Sequence, residues 1–260
     1  DYVNTVRDDC TVVQINYSDN PHCPDLLKIE ADKLAASDYT AYENIWLGKP
    51  KHLADGAIYK AEFEQIRREN RICRVPYDPN LPVFTSWDLG ILDPTAIWFF
   101  QAYGKEIRAI DYYEAVDEPL SHYARILREK GYGYEKHFAP HDIEARDMTG
   151  GISRRQTMAN LGYIMEKGAR LGVDDRIEAA RQMLARTWFD AEKCKRGLDC
   201  LQNYRRAFNE RMGQFKAEAV HDWASHGSDA FGEGALAINK MCPNARPERK
   251  PLGASQHLGM

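Results

Sequence analysis

Between Val83 and Glu114 three β-prone runs, Val83–Asp88, Thr95–Tyr103 and Glu106–Glu114, are separated only by the turns Gly90–Pro94 and Gly104–Lys105. Connections that short leave no room for a crossover, so the three runs must be antiparallel neighbours in one sheet. Helical and strand patterns then alternate. Pro119–Lys130 puts Leu120, Tyr123, Ile126 and Leu127 on one helical face, Glu135–Ala139 reads as a strand, Ser153–Leu161 as a helix capped by Ser153, and Gly162–Met165 as a strand. Asp174–Ala185 and Cys194–Phe208 read as amphipathic helices, a hairpin is expected around Gly213, and Ser225–Asn239 forms a final helix. The series predicts an α/β domain whose mixed sheet is flanked by helices.

The 260 residues accommodate such a domain and an appendage. With 43% hydrophobic and 28% charged residues the chain is neither fibrous nor wholly disordered. Its longest strongly apolar run, Thr95–Phe100, falls far short of the roughly 20 residues of a membrane span. Residues 1–80 read as an N-terminal linker segment, with a strand at Thr11–Tyr17, a turn at Ser18–Pro21 and a helix at Pro24–Ala36. Breaker clusters at Gly48–Pro50 and Pro76–Pro82 set the main domain at 81–240 and leave 241–260 as a polar tail. Six cysteines without a C-x-x-C pair suggest reduced thiols in a cytosol rather than a zinc module. The net charge is −4, yet Glu144–Lys216 holds 15 Lys and Arg against 10 Asp and Glu, which suits either a phosphate-contacting surface or solvated helix faces.

Three aspartates mark the ends of elements. Asp88 closes the first strand of the meander, Asp142 follows the Glu135–Ala139 strand, and Asp229 falls in the first turn expected for the final helix. Taken singly, each suits a turn or a helix start. Together, two strand ends and a helix start can converge at one sheet edge, where carboxylates repel unless divalent cations lie between them, and oxygen-only ligation suits Mg²⁺ or Mn²⁺.

Three strings, TSWDLGILDPTAIWFF at Thr85–Phe100, APHDIEARDMTGGISRR at Ala139–Arg155 and HDWASHGSDAF at His221–Phe231, resemble in order and spacing the signature blocks of the nuclease domain of the large terminase subunit of tailed bacteriophages. The likeness runs from about Leu81 to Asn239. It implies a ribonuclease H-like fold and an endonuclease that cuts double-stranded DNA during viral genome packaging, using two divalent ions on Asp88, Asp142 and Asp229. It further implies the portal protein and the small terminase subunit as partners, in the bacterial host cytoplasm and transiently at the procapsid. IWLGKP at Ile45–Pro50 with DGAIY at Asp55–Tyr59 resembles the junction between the packaging ATPase and the nuclease. No G-x-x-x-x-G-K-[ST] occurs, so the ATPase is expected on another part of a longer chain or on a separate protein.

Further candidates lie near these blocks. Asp222 and His226 could join the metal set, His226 as a ligand or by hydrogen-bonding a carboxylate, whereas Asp93 before Pro94 suits an ordinary turn and His141 should point away from Asp142. Arg154 and Arg155 would suit phosphate contacts at a helix start or a solvated first turn. Tyr112, Tyr113, Tyr132 and Tyr134 suit packing better than base stacking, since no cations interleave them regularly. Rival readings are a resolvase- or transposase-type nuclease of the same fold, a nucleotide-binding protein of the sugar-kinase and actin type, and a non-catalytic DNA-docking module. The kinase reading lacks its second glycine-rich phosphate loop.

Overall fold

The structure, a computed structural model, describes residues 15–37, 39–48, 54–90, 93–146, 151–209 and 211–241. It divides into two compact units, Asp1–Asp55 and Gly56–Met260. The first holds a 3-10 turn at Tyr17–Asp19 and helices α1 (Asp25–Ser37) and α2 (Tyr39–Ile45). The expected Thr11–Tyr17 strand lies largely outside the described residues, and its last residue enters the 3-10 turn because the Asp19 carboxylate accepts the Asn16 N–H at 2.8 Å. Tyr17 meets Trp46 edge-on with ring centroids 5.1 Å apart.

The second unit contains α3 (Lys60–Arg68), β1 (Ile72–Cys73), β2 (Val83–Asp88), β3 (Thr95–Tyr103), β4 (Glu106–Ala115), α4 (Leu120–Lys130), β5 (Tyr134–Ala139), α5 (Arg154–Asn160) and β6 (Met165–Lys167). It continues with α6 (Val173–Leu184), β7 (Thr187–Asp190), α7 (Lys195–Asn203), β8 (Arg206–Asn209), β9 (Gln214–Ala219), α8 (Trp223–Leu236) and α9 (Ile238–Met241). Seven strands form one mixed sheet in the order β1-β7-β4-β3-β2-β5-β6, with β3 antiparallel to both neighbours and every other pairing parallel. The antiparallel meander β2–β3–β4 is the one expected. A separate ribbon, β8–β9, turns at Gly213 in the left-handed region, φ +63°.

Several boundaries differ from expectation for identifiable reasons. The helix expected over Cys194–Phe208 ends at Asn203 because Arg206–Asn209 pair with β9 instead. The strand expected at Gly162–Met165 shifts to Met165–Lys167, where it pairs with His137–Ala139. Strands β1 and β7, too short to show a period, were not expected. Residues 56–80, grouped by sequence with the N-terminal segment, pack with the sheet: Phe63 stacks on Phe189 at 6.3 Å, and buried Arg71 donates to the Leu184 and Thr187 carbonyls at 2.7 and 2.6 Å. The final helix starts at Trp223, two residues early, because Asp222 caps it.

Strand alternation decides which side chains meet which helix. On β2, Ser86 and Asp88 face α8 while Trp87 faces α4, meeting Tyr123 edge-on at 6.1 Å. Phe231 of α8 packs edge-on against Trp98 and Phe100 at 5.5 and 5.7 Å. On the opposite face Val83, Ile97, Phe99 and Leu127 close the second half of the core. Helix α8 lies very close to the sheet. A Cβ on Gly234 would stand 2.8 Å from Ser86 Oγ, and one on Gly227 would stand 2.9 Å from the Tyr112 hydroxyl of β4 and 2.7 Å from Cys200 Cβ of α7.

One polar chain is buried under α4's face of the sheet. Trp87 Nε1 donates to Thr85 Oγ1 at 2.7 Å, and the Thr85 hydroxyl is hydrogen-bonded to His137 Nδ1 at 2.7 Å. Burial pushes the His137 pKa down from 6.5 to about 4. Between those pH values the unfolded chain holds a proton that the folded one does not, so stability falls as pH drops through that window. The shift corresponds to about 3 kcal/mol at most. Urea unfolding at pH 4.5 and 7.5 is expected to show His137→Asn losing ~1–3 kcal/mol less on acidification than the wild type. Equal losses would assign the acid sensitivity to other groups.

Candidate metal centre

Parallel pairing places Ser86 opposite Phe138, so β2 and β5 end side by side. Asp88 is the last residue of β2, and Asp142 stands exposed in the 3-10 turn Pro140 opens, His141–Glu144, immediately after β5. Helix α8 packs over β2, β3 and β5. Asp229 is its seventh residue, in the second turn rather than the first, and faces the same edge. The three aspartates act together on a fourth acid, Glu233, one turn beyond Asp229 on α8.

Glu233 is only 5% exposed and was not singled out in the sequence. Its signal was available: an acid four residues after Asp229, isolated in the small and apolar run Ala230–Ala237. Arg176 of α6 faces both acids, Nε 3.6 Å from Asp229 Oδ1 and Nη1 3.8 Å from Glu233 Oε1. Burial raises Asp229 from the usual 3.8 to about 6, with the Asp88 charge adding to it against Arg176. Burial likewise raises Glu233 from 4.5 to about 7; Arg176 opposes the shift and the charges of Asp88, Asp229 and Asp142 reinforce it.

Beside this cluster lies a nitrogen-rich flank. His226 Nδ1 is 3.1 Å from Asp88 Oδ2, and this hydrogen bond raises the imidazole pKa above 6.5 despite burial. The His221 ring meets His226 edge-on at 5.2 Å, and its Nε2 is 3.8 Å from Asp93 Oδ2. One ligand atom each from Asp93, His221 and His226 lies within 4.8 Å of the others.

Asp222, expected as a ligand, has both oxygens engaged elsewhere: Oδ1 accepts from Ala224 N at 2.9 Å, capping α8, and Oδ2 pairs with Arg205 at 2.8 Å. Arg154 points back toward the cluster, Nη1 3.5 Å from the carbonyl of Leu89, the residue after Asp88. Arg155 is held in the framework by the Met165 carbonyl at 3.1 Å and Glu144 at 2.9 Å. The four tyrosines belong to the packing: Tyr112 bonds Glu114 at 2.5 Å, Tyr113 His122 at 2.6 Å, Tyr132 Asp111 at 3.0 Å and Tyr134 the Leu127 carbonyl at 2.8 Å. A depression of about 380 Å³ opens beside Asp229, between Asp174, Tyr204, Ala217 and His221. The donor set of Asp88, Asp142, Asp229 and Glu233 is all carboxylate, the chemistry of a hard divalent cation, whose charge would offset their mutual repulsion.

No family model and no curated protein sequence matches the chain. Solved structures do. The large terminase of a thermophilic bacteriophage is similar over 86% of this chain and 54% of its own, with 16% identity and a TM-score of 0.53. The complex of that terminase with ADP matches at 15% identity over 85% of this chain and 54% of that one, TM-score 0.53. The nuclease domain of the P22 large terminase is similar over 69% of this chain and 94% of its own, with 15% identity and a TM-score of 0.52. The chain thus spans about half the length of the thermophilic phage's large terminase. The mixed seven-stranded sheet with flanking helices is the ribonuclease H-like fold expected, shared with the P22 nuclease domain.

The two raised acids fix a sign. Between about pH 4 and 7 the folded state binds more protons than the unfolded chain, so the stability contributed by Asp229 and Glu233 is lost as pH rises through that window and levels off above it. In metal-free buffer at pH 8, Glu233→Gln is expected to be more stable than the wild type by ~1–2 kcal/mol, with the gain gone at pH 4. A variant destabilised equally at both pH values would show that the carboxylate is not under electrostatic load.

Proposed function

We propose that this chain is a divalent-metal-dependent DNA endonuclease, the nuclease part of a phage large terminase, acting on double-stranded DNA during genome packaging. The observation that supports the reading is that Asp88 and Asp142 follow the adjacent parallel ends of β2 and β5 while α8, which carries Asp229 and Glu233, packs over both strands, in a fold that matches the P22 nuclease domain. The three signature-like strings support it, since they contribute these aspartates.

Asp88, Asp142 and Asp229 would hold two ions, Mg²⁺ or Mn²⁺. When bound, such ions generate the attacking hydroxide and stabilise the leaving 3′ oxygen of a phosphodiester. His226 fixes the orientation of the Asp88 carboxylate through Oδ2. With its neighbours Asp93 and His221 it forms a flank whose imidazoles suit Mn²⁺ better than Mg²⁺. Arg154, anchored by the carbonyl next to Asp88, is placed to meet a phosphate arriving at the acids, while Arg155 braces α5. Duplex DNA driven past the site calls for contacts to phosphates more than to bases. ATP hydrolysis is left to another part of the motor, because the chain has no phosphate loop. The portal protein and the small terminase subunit are the partners this role entails, in the host cytoplasm at the procapsid.

Plasmid cleavage with Mn²⁺ or Mg²⁺ is the direct test. Asp88→Asn, Asp142→Asn and Asp229→Asn should each reduce cutting by at least about a hundredfold with circular dichroism unchanged. Cutting in excess chelator, or a full-rate variant, would contradict the assignment; DNA binding without any cutting would favour the docking-module reading. In a salt series on unrelated duplexes, Arg154→Ala should flatten log K against log salt by about 0.9. Arg155→Ala should leave that slope nearly unchanged.

A further inference from the structure

Arg176 lies beside two of the site's acids, buried Glu233 and partly buried Asp229. It is the fourth residue of α6. Its stem lies along Gly232 of α8, where a Cβ would stand 3.2 Å from Arg176 Cβ and 3.6 Å from Cδ. On the far side of Glu233 lies Gly168, where a Cβ would fall 2.5 Å from Glu233 Oε2; the Gly168 N–H is tied to the Ala139 carbonyl at 2.7 Å. Side chains at these two positions would crowd the Arg176 stem and the end of the Glu233 side chain.

The contacts are electrostatic rather than directional. At 3.6 and 3.8 Å neither approach is a hydrogen bond, and Arg176 Nε is buried without a hydrogen-bond partner. A guanidinium bound by a fork of hydrogen bonds would be costly to displace; one held by charge alone can shift when another cation arrives.

We propose that Arg176 is the built-in counterion of the acid cluster: a positioning residue that holds Asp229 and Glu233 side by side in the metal-free protein and competes with divalent cations for them. The competition rests on the metal-centre reading above; the counterion role does not.

A double-mutant cycle tests the first half without metal. Arg176→Met keeps the stem against Gly232 and removes the charge. In chelator at pH 8 it should lower Tm by about 2–4 °C, and adding Glu233→Gln should restore most of the loss, while Arg176→Lys should stay close to the wild type. Glu233→Gln should raise Tm by more in the Arg176→Met background than in the wild type, and an equal rise in both would overturn the proposal; if Arg176→Met fails to fold, Arg176→Gln takes its place in the cycle. Calorimetric titration with Mn²⁺ in the absence of DNA tests the second half: Arg176→Met should bind Mn²⁺ about fivefold more tightly or better, because a competing unit charge is gone. Unchanged or weaker binding would overturn the competition. Wild type that binds no Mn²⁺ at all would sink the metal-centre reading and the competition with it, leaving the cycle to decide the counterion role.

Discussion

Helix α8 rests on the sheet at a distance that a Cβ on Gly227 or Gly234 would forbid, and the candidate centre depends on that seat. Asp88 belongs to the sheet, whereas His226, Asp229 and Glu233 belong to the helix; only close approach lets an imidazole on one reach a carboxylate on the other. The neighbouring side chains lock the height. Trp98 Nε1 donates to the Gly227 carbonyl at 2.7 Å and presents its ring to Phe231. Arg196 of α7 bonds Glu114 at 2.6 Å and stacks over Trp223 at the first turn of α8, 4.6 Å from the ring centre. Sheet, α7 and α8 are thereby braced as one body, in which a shift of a few tenths of an ångström at a glycine would move the site acids.

That seat forces like charges together, and the electrostatics follow. Burial and mutual repulsion drive Asp229 and Glu233 upward, while His226 and Arg176 counter the charge from two sides. The arrangement suits a cation site better than a static ion-pair network: Arg176 makes no hydrogen bond to either acid, and Asp142 stands exposed at the rim.

The excess of cations in Glu144–Lys216, which composition leaves open between a phosphate-contacting surface and solvated helix faces, is partly taken up by ion pairs. Arg155 pairs with Glu144, Arg176 with Asp229 and Glu233, Arg181 with Glu62, Arg196 with Glu114 and Arg205 with Asp222. Four of these arginines balance acids outside the segment, so a phosphate-gripping surface is not legible from charge counts. Arg154, at the Leu89 carbonyl, is distinguished from Arg155 by position and not by type.

The sequence by itself determined the meander, most helices and the places of Asp88 and Asp142 after strand ends, because these rest on local rules: the two-residue period of a strand, turn residues between runs, and acids at element ends. Helix α8 illustrates the limit. Its start moved two residues once the Asp222 carboxylate capped it, which took that acid from the candidate ligands and carried Asp229 into the second turn. Tertiary structure alone decided β1 and β7, whose two and four residues become strands only by pairing with β4 and each other. It also decided the role of Arg176, which lies 53 positions before Asp229 and shares no motif with it. Contacts between distant residues depend on how helices stack on a sheet, and there burial turns ordinary carboxylates into groups that hold a proton well above their usual range, a property no residue carries in its own side chain.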